Sequence, residues 1–123
     1  MNKALLIDIY ALPEYDISLA LGYLKAYADA DPAVRTAWSI QMLHLPVDTP
    51  AKDVAAAIAN SGADLVGLSC YSWNIRAVER GLALLPPKGG PMVILGGIEV
   101  TPDPAGYLKR NRAASAVNVE VVA

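Results

Sequence analysis

The chain holds one cysteine, one histidine and no phenylalanine in 123 residues. A lone thiol, Cys70, excludes an internal disulfide, a cysteine-only zinc site and a three-cysteine iron–sulfur motif within this chain. Positive charge is not in excess: 10 Lys and Arg stand against 12 Asp and Glu, for a net charge of −2. That balance offers no basic footprint for nucleic acid. Like charges never run five in a row, and no uninterrupted apolar stretch approaches the roughly 18 residues of a membrane span. Met1-Asn2-Lys3 leads straight into a strand-like segment that carries Asp8, too short a run for a signal sequence. A cytoplasmic protein without membrane or nucleic-acid partners is the expectation.

Apolar residues make up 54% of the chain, much of it Ala, Val, Leu and Ile, which suits helices packed on a buried sheet. One domain over 1–123 is expected, long enough to bury a core. Ala4-Leu5-Leu6-Ile7-Asp8-Ile9 is a near-continuous apolar run, the mark of a strand covered on both faces. Ser18 is placed to cap a helix in which Ala20, Leu24 and Tyr27 share one face, and Asp31-Pro32 ends it. A second strand lies within Val34 to Leu45. Thr49-Pro50 reads as N-cap and first helical residue, with Val54, Ala57 and Ile58 along the helix and Gly62 at its left-handed stop. Asp64 to Ser69 is a third strand. Ile75, Val78, Leu82 and Leu85 follow at helical spacing until Pro86-Pro87. Met92 to Leu95 is a fourth strand, ended by Gly96-Gly97. A short helix from Pro104 to Arg110 precedes a last strand near Val117 to Val122. Parallel strands need crossovers of this length. The pattern predicts a flavodoxin-like α/β domain: a doubly wound, five-stranded parallel sheet of order 2-1-3-4-5. Since the sequence stops as the fifth strand ends, a module or fragment of a larger enzyme is expected, with an edge open to self-association.

Ligands of such sheets bind beyond the carboxyl ends of the strands at the topological switch point, here between the first and third strands. Three loops converge there. Tyr10, Leu12, Pro13 and Tyr15 follow the first strand; Ser69, Cys70, Tyr71, Ser72, Trp73 and Asn74 close the third; Gly96, Gly97, Ile98 and Glu99 close the fourth. The aromatics point to a flat, partly apolar ligand, and a Gly-Gly pair lets backbone approach a ligand closely. Other occupants fail on local chemistry. Ser69-Cys70 stands where a phosphate-receiving domain needs Asp. Tyr10-Ala11-Leu12-Pro13-Glu14-Tyr15 is no Ser/Thr/Gly-rich phosphate loop, and no G-x-G-x-x-G follows the first strand.

Four stretches carry a family resemblance: Leu5-Leu6-Ile7, the segment Ser18 to Leu24, Ala63 to Asn74, and Val93 to Thr101. Together they resemble the cobalamin-binding domain at the N-terminus of B12-dependent radical SAM enzymes, over almost the whole chain. The resemblance implies a module holding cobalamin for a radical SAM partner domain, in cis or trans, that performs methyl transfer or a rearrangement. It implies S-adenosylmethionine and an iron–sulfur cluster only in that partner, and no catalysis by this chain alone. With that ligand, the three loops at the switch point put Tyr10, Leu12, Pro13, Ser69, Cys70, Tyr71, Ser72, Trp73, Gly96, Gly97, Ile98 and Glu99 at the cofactor. Ser69, Gly96 and Gly97 are carried to the flank of the nucleotide tail. The D-x-H-x-x-G motif is absent, since Ile9-Tyr10-Ala11 follows Asp8, so no protein histidine is assigned to cobalt.

Plainer readings stand beside these. Tyr71 and Trp73 are either rim packing or ligand contacts. Asp8 either orients loop backbone or meets the ligand. Cys70 reads as a small buried filler, His44 as an ordinary strand-end residue, Tyr23 and Tyr27 as helix packing, and Glu99 as a solvated loop residue rather than an acid–base group. The alternative function is a flavodoxin-like interaction scaffold without a cofactor.

Overall fold

The computed structural model describes residues 1–12, 18–86, 90–114 and 119–121. The apolar run at the N-terminus forms β1 (Asn2–Tyr10), buried from Ala4 to Ile9. Helix α1 (Leu19–Ala30) follows, with the Ser18 hydroxyl accepting from the Leu21 amide at 3.2 Å. Asp31 is extended, as a residue before proline should be, and it ends α1. Its carboxylate also accepts from the Ala33 amide at 2.9 Å and so caps α2 (Pro32–Ala37). The Asp-Pro pair is therefore both a stop and a start, because proline suits a first helical position. Residues 34–37, read above as possible strand, are helical for that reason, and β2 runs Trp38–Pro46. The remaining elements are α3 (Ala51–Ala59), β3 (Leu65–Ser69), α4 (Ile75–Ala83), β4 (Met92–Gly96), α5 (Pro104–Ala114) and β5 (Val119–Val121).

The sheet is parallel throughout, in the order β2-β1-β3-β4-β5. Its body is β2-β1-β3-β4. The short β5 pairs only with Val93, Ile94 and Leu95 at the edge. Side chains alternate across the sheet. Leu5, Ile7, Ile9, Val66, Leu68, Val93 and Leu95 form one core with Val54 and Ile58 of α3 and Val78 and Leu82 of α4. Ala4 and Leu6 face the other way, toward Leu24 and Ala28 of α1. Helices thus cover both faces, as the crossover pattern requires.

Three details differ from the sequence reading. Pro50 is extended and is itself the cap position of α3, which begins at Ala51 with no side-chain cap. In α1 the buried residue is Leu21, not the face of Ala20, Leu24 and Tyr27. Tyr23 and Tyr27 are 74% and 83% exposed rather than packed into the core, because only a narrow stripe of this helix meets the sheet. Gly62 does take the left-handed conformation, with φ +69°. Pro87, Val117 and Val122 lie outside the described residues. Among the described residues, no helix is long and apolar enough to cross a membrane.

Candidate functional site

A cavity of about 640 Å³ opens at the carboxyl ends of β1 and β3. Asp8 and Tyr10 of β1 line it, with Ala11 and Leu12 of the next loop, Ser18, Leu19 and Ala20 at the start of α1, and Tyr71 and Trp73 after β3. The crossovers from β1 and β3 leave on opposite faces, so the strand ends part here and leave room for a ligand. The volume lies within the range of small-molecule and cofactor sites, and all but two of the lining residues are apolar or aromatic.

Asn74 shapes one wall. It is fully buried, and its three hydrogen bonds tie the loop to two strand ends. Its side-chain oxygen accepts from the Tyr71 amide at 2.7 Å. Its side-chain nitrogen donates to the carbonyls of Ile9 at 3.2 Å and Ser69 at 2.8 Å. Only a buried amide offers donors and an acceptor together in this space. The clamp folds the loop so that Tyr71 and Trp73 stack, with ring centroids 4.4 Å apart and planes within 5°. Trp73 remains 52% exposed, so the stack presents a flat aromatic face to the cavity rather than filling the core.

The floor holds one charge. Asp8 is buried, and burial pushes its carboxyl above the usual carboxylate range, an effect that nearby His44 partly offsets. His44 lies inside β2, in register with Asp8, and not at a strand end. Its Nδ1 stands 3.8 Å from the Asp8 carboxylate, an electrostatic contact too long for a hydrogen bond. That buried nitrogen has no hydrogen-bond partner among the described residues.

The loop after β4 has another task. The Cys70 amide donates to the Gly96 carbonyl at 2.7 Å, and the Glu99 amide donates to the Cys70 carbonyl at 3.2 Å. Between them Gly97 adopts φ +108°, and a Cβ there would stand 2.6 Å from the Cys70 carbonyl oxygen. Backbone geometry alone requires glycine at this position. Glu99 accepts from the Tyr107 hydroxyl at 2.9 Å, a bond that holds the phenol proton and raises its pKa. Cys70 is fully buried beneath this turn. Burial, with the charge of Glu79, pushes its thiol up to about 12, so it is inert rather than nucleophilic.

A family model, the B12 binding domain, matches residues 17–121. The chain belongs to the B12-binding domain family. Two curated relatives agree. The 2-(S-pantetheinyl)-carbapenam-3-carboxylate methyltransferase of Streptantibioticus cattleyicolor is 31% identical over 111 residues, which are 89% of this chain and 16% of that protein. The cobalamin-dependent radical SAM methyltransferase TokK of Streptomyces tokunonensis is 28% identical over 102 residues, 81% of this chain and 14% of that protein. The B12-binding domain thus spans about a sixth of the length of these relatives. No solved structure matches it.

Of the residues singled out in the sequence, this B12-binding domain brings Tyr10, Leu12, Tyr71 and Trp73 together around the cavity. Ser69, Cys70, Ser72, Gly96, Gly97, Ile98 and Glu99 are not among its lining residues. Ser69 and Cys70 are buried under the turn, Glu99 is drawn to α5, and Ser72 and Ile98 face outward. Pro13 and Tyr15 lie outside the described residues. The sequence reading missed the N-terminal end of α1 as a wall, and Asn74 as the clamp. The cap at Ser18 was the available signal for the first, since it fixes where α1 begins beside the strand ends. Among the described residues, no cluster of His, Cys, Asp and Glu could hold a metal ion directly.

Proposed function

We propose that this domain holds cobalamin in the cavity between β1, α1 and the loop after β3, for methyl transfer by a radical SAM domain in cis or trans. The observation that carries the reading is the stacked Tyr71–Trp73 pair, held flat by Asn74 at the sheet's switch point. A planar macrocycle is the kind of ligand that a flat aromatic face accommodates. Tyr10, Leu12 and Leu19 supply apolar cover around it and exclude water from its faces. When bound, cobalamin supplies a cobalt centre able to carry a methyl group. No histidine of this chain is assigned to cobalt: its single histidine, His44, sits against Asp8. Ser69 and Gly96 keep the role that the resemblance gives them, beside the nucleotide tail, while Gly97 is assigned to the turn. One cysteine cannot hold a three-cysteine cluster, so the S-adenosylmethionine chemistry belongs to the partner.

The test is equilibrium dialysis of the purified chain against hydroxocobalamin, read by the corrinoid absorbance. Binding on the order of micromolar is expected, because contacts from the partner domain are missing. No uptake at a hundredfold higher concentration would return the domain to the scaffold reading.

A further inference from the structure

Among the described residues, Asp8 is the only one lining the cavity that bears a formal charge at neutral pH. Its side chain is 8% exposed and accepts no hydrogen bond from any described residue. The Ser18 hydroxyl, across the cavity, is already engaged as the cap of α1. A buried carboxylate without donors is costly to keep in a fold. Leu or Ala would fill the same strand position without that cost, and Asn with a smaller one. The neighbour His44 reduces the cost without removing it, since its unpartnered Nδ1 stands 3.8 Å away.

We propose that Asp8 is a ligand-orienting acceptor: its carboxylate takes a hydrogen bond from a carboxamide N–H on the rim of the macrocycle, with His44 as the positioning residue that stabilises the charge. This rests on the cobalamin reading and deepens it. The rim of a corrinoid carries primary carboxamides, which are donors, and its nucleotide tail carries a phosphate, which is an anion. An ionised carboxylate in a low-dielectric floor attracts the first and repels the second. Asp8 therefore fixes which edge of the ligand turns toward β1. Among the described residues, Asp8 has His44 of β2 beside it and shares the cavity lining with Tyr10, Tyr71 and the uncharged Ser18, Leu19 and Ala20. From β3 the neighbours at this level are Leu68 and Ser69, neither of which carries a charge.

The sign of the pH effect follows. Burial raises the Asp8 carboxyl above its ordinary value, so the folded protein takes up its proton before the unfolded chain does. Stability contributed by the neutral form is present below pH 3.8 and is lost as pH rises through the raised value. Asp8→Asn removes that loss, so the ligand-free variant should melt higher than the parent at pH 7. Binding should move the opposite way. Dialysis against hydroxocobalamin should show about tenfold weaker affinity for Asp8→Asn at pH 7. The parent's affinity should fall as pH drops through the raised Asp8 value, while that of Asp8→Asn stays flat. His44→Gln should bring the parent's fall in affinity to higher pH. A variant Asp8→Asn that matches the parent in affinity and pH profile would overturn the inference and leave the cobalamin reading intact. Loss of stability and affinity together would mark Asp8 as structural and overturn it also. No uptake by the parent would overturn both.

Discussion

Two loops leave the same edge of the sheet, and they do different work. After β3, residues 70–74 are held from beneath by Asn74 and present Tyr71 and Trp73 to open space. After β4, the turn at Gly97 is bound to the backbone of Cys70 and tied by Glu99 to α5. Both loops carry residue types that read as ligand contacts. Only the first lines the cavity. A glycine pair at a strand end thus serves a close backbone crossing as readily as a cofactor. What separates the uses is where an added Cβ would go, and here it meets the Cys70 carbonyl oxygen at 2.6 Å.

The comparison breaks hardest at Asn74. Asn74→Ala takes its side-chain partner from the Tyr71 amide and from the carbonyls of Ile9 and Ser69. A loss of about 4 kcal/mol is expected from urea unfolding, together with loss of cobalamin uptake, because the clamp serves fold and site at once. Gly97→Ala comes next. Its left-handed conformation and backbone collision should cost about 3 kcal/mol in the same assay. The smallest effect belongs to Tyr107→Phe, which removes the hydroxyl bonded to Glu99 at a partly exposed site. Its melting temperature and cobalamin affinity should both stay close to the parent's, a stability change within about 0.5 kcal/mol.

The parallel sheet, its order β2-β1-β3-β4 and the helix between each pair were legible because their signals are local. Apolar runs such as Ala4 to Ile9, the Ser18 cap and the Asp31-Pro32 break each speak within a few residues. What escaped depends on register. Asn74 bonds Ile9, 65 positions earlier, and no local pattern marks that reach. Asp8 and His44 face each other only because β1 and β2 pair in one particular frame. The exposed Tyr23 and Tyr27 misled for a related reason. Helical spacing shows that residues share a face, but not whether the sheet reaches it. The aromatic loop was found by composition. That its rings stack at 4.4 Å is a consequence of the buried clamp.

The most direct test of the two-loop account sets Trp73→Ala beside Gly97→Ala, each measured for melting temperature and for hydroxocobalamin affinity at a temperature where both are folded. Trp73 is half-exposed in the cavity wall, so its removal should leave stability within about 0.5 kcal/mol and weaken binding about tenfold. Gly97→Ala should do the reverse, melting lower while the folded fraction binds like the parent. If Gly97→Ala melts like the parent and loses the corrinoid while Trp73→Ala binds normally, the site lies at the β4 turn, and the assignment to the β3 loop is wrong.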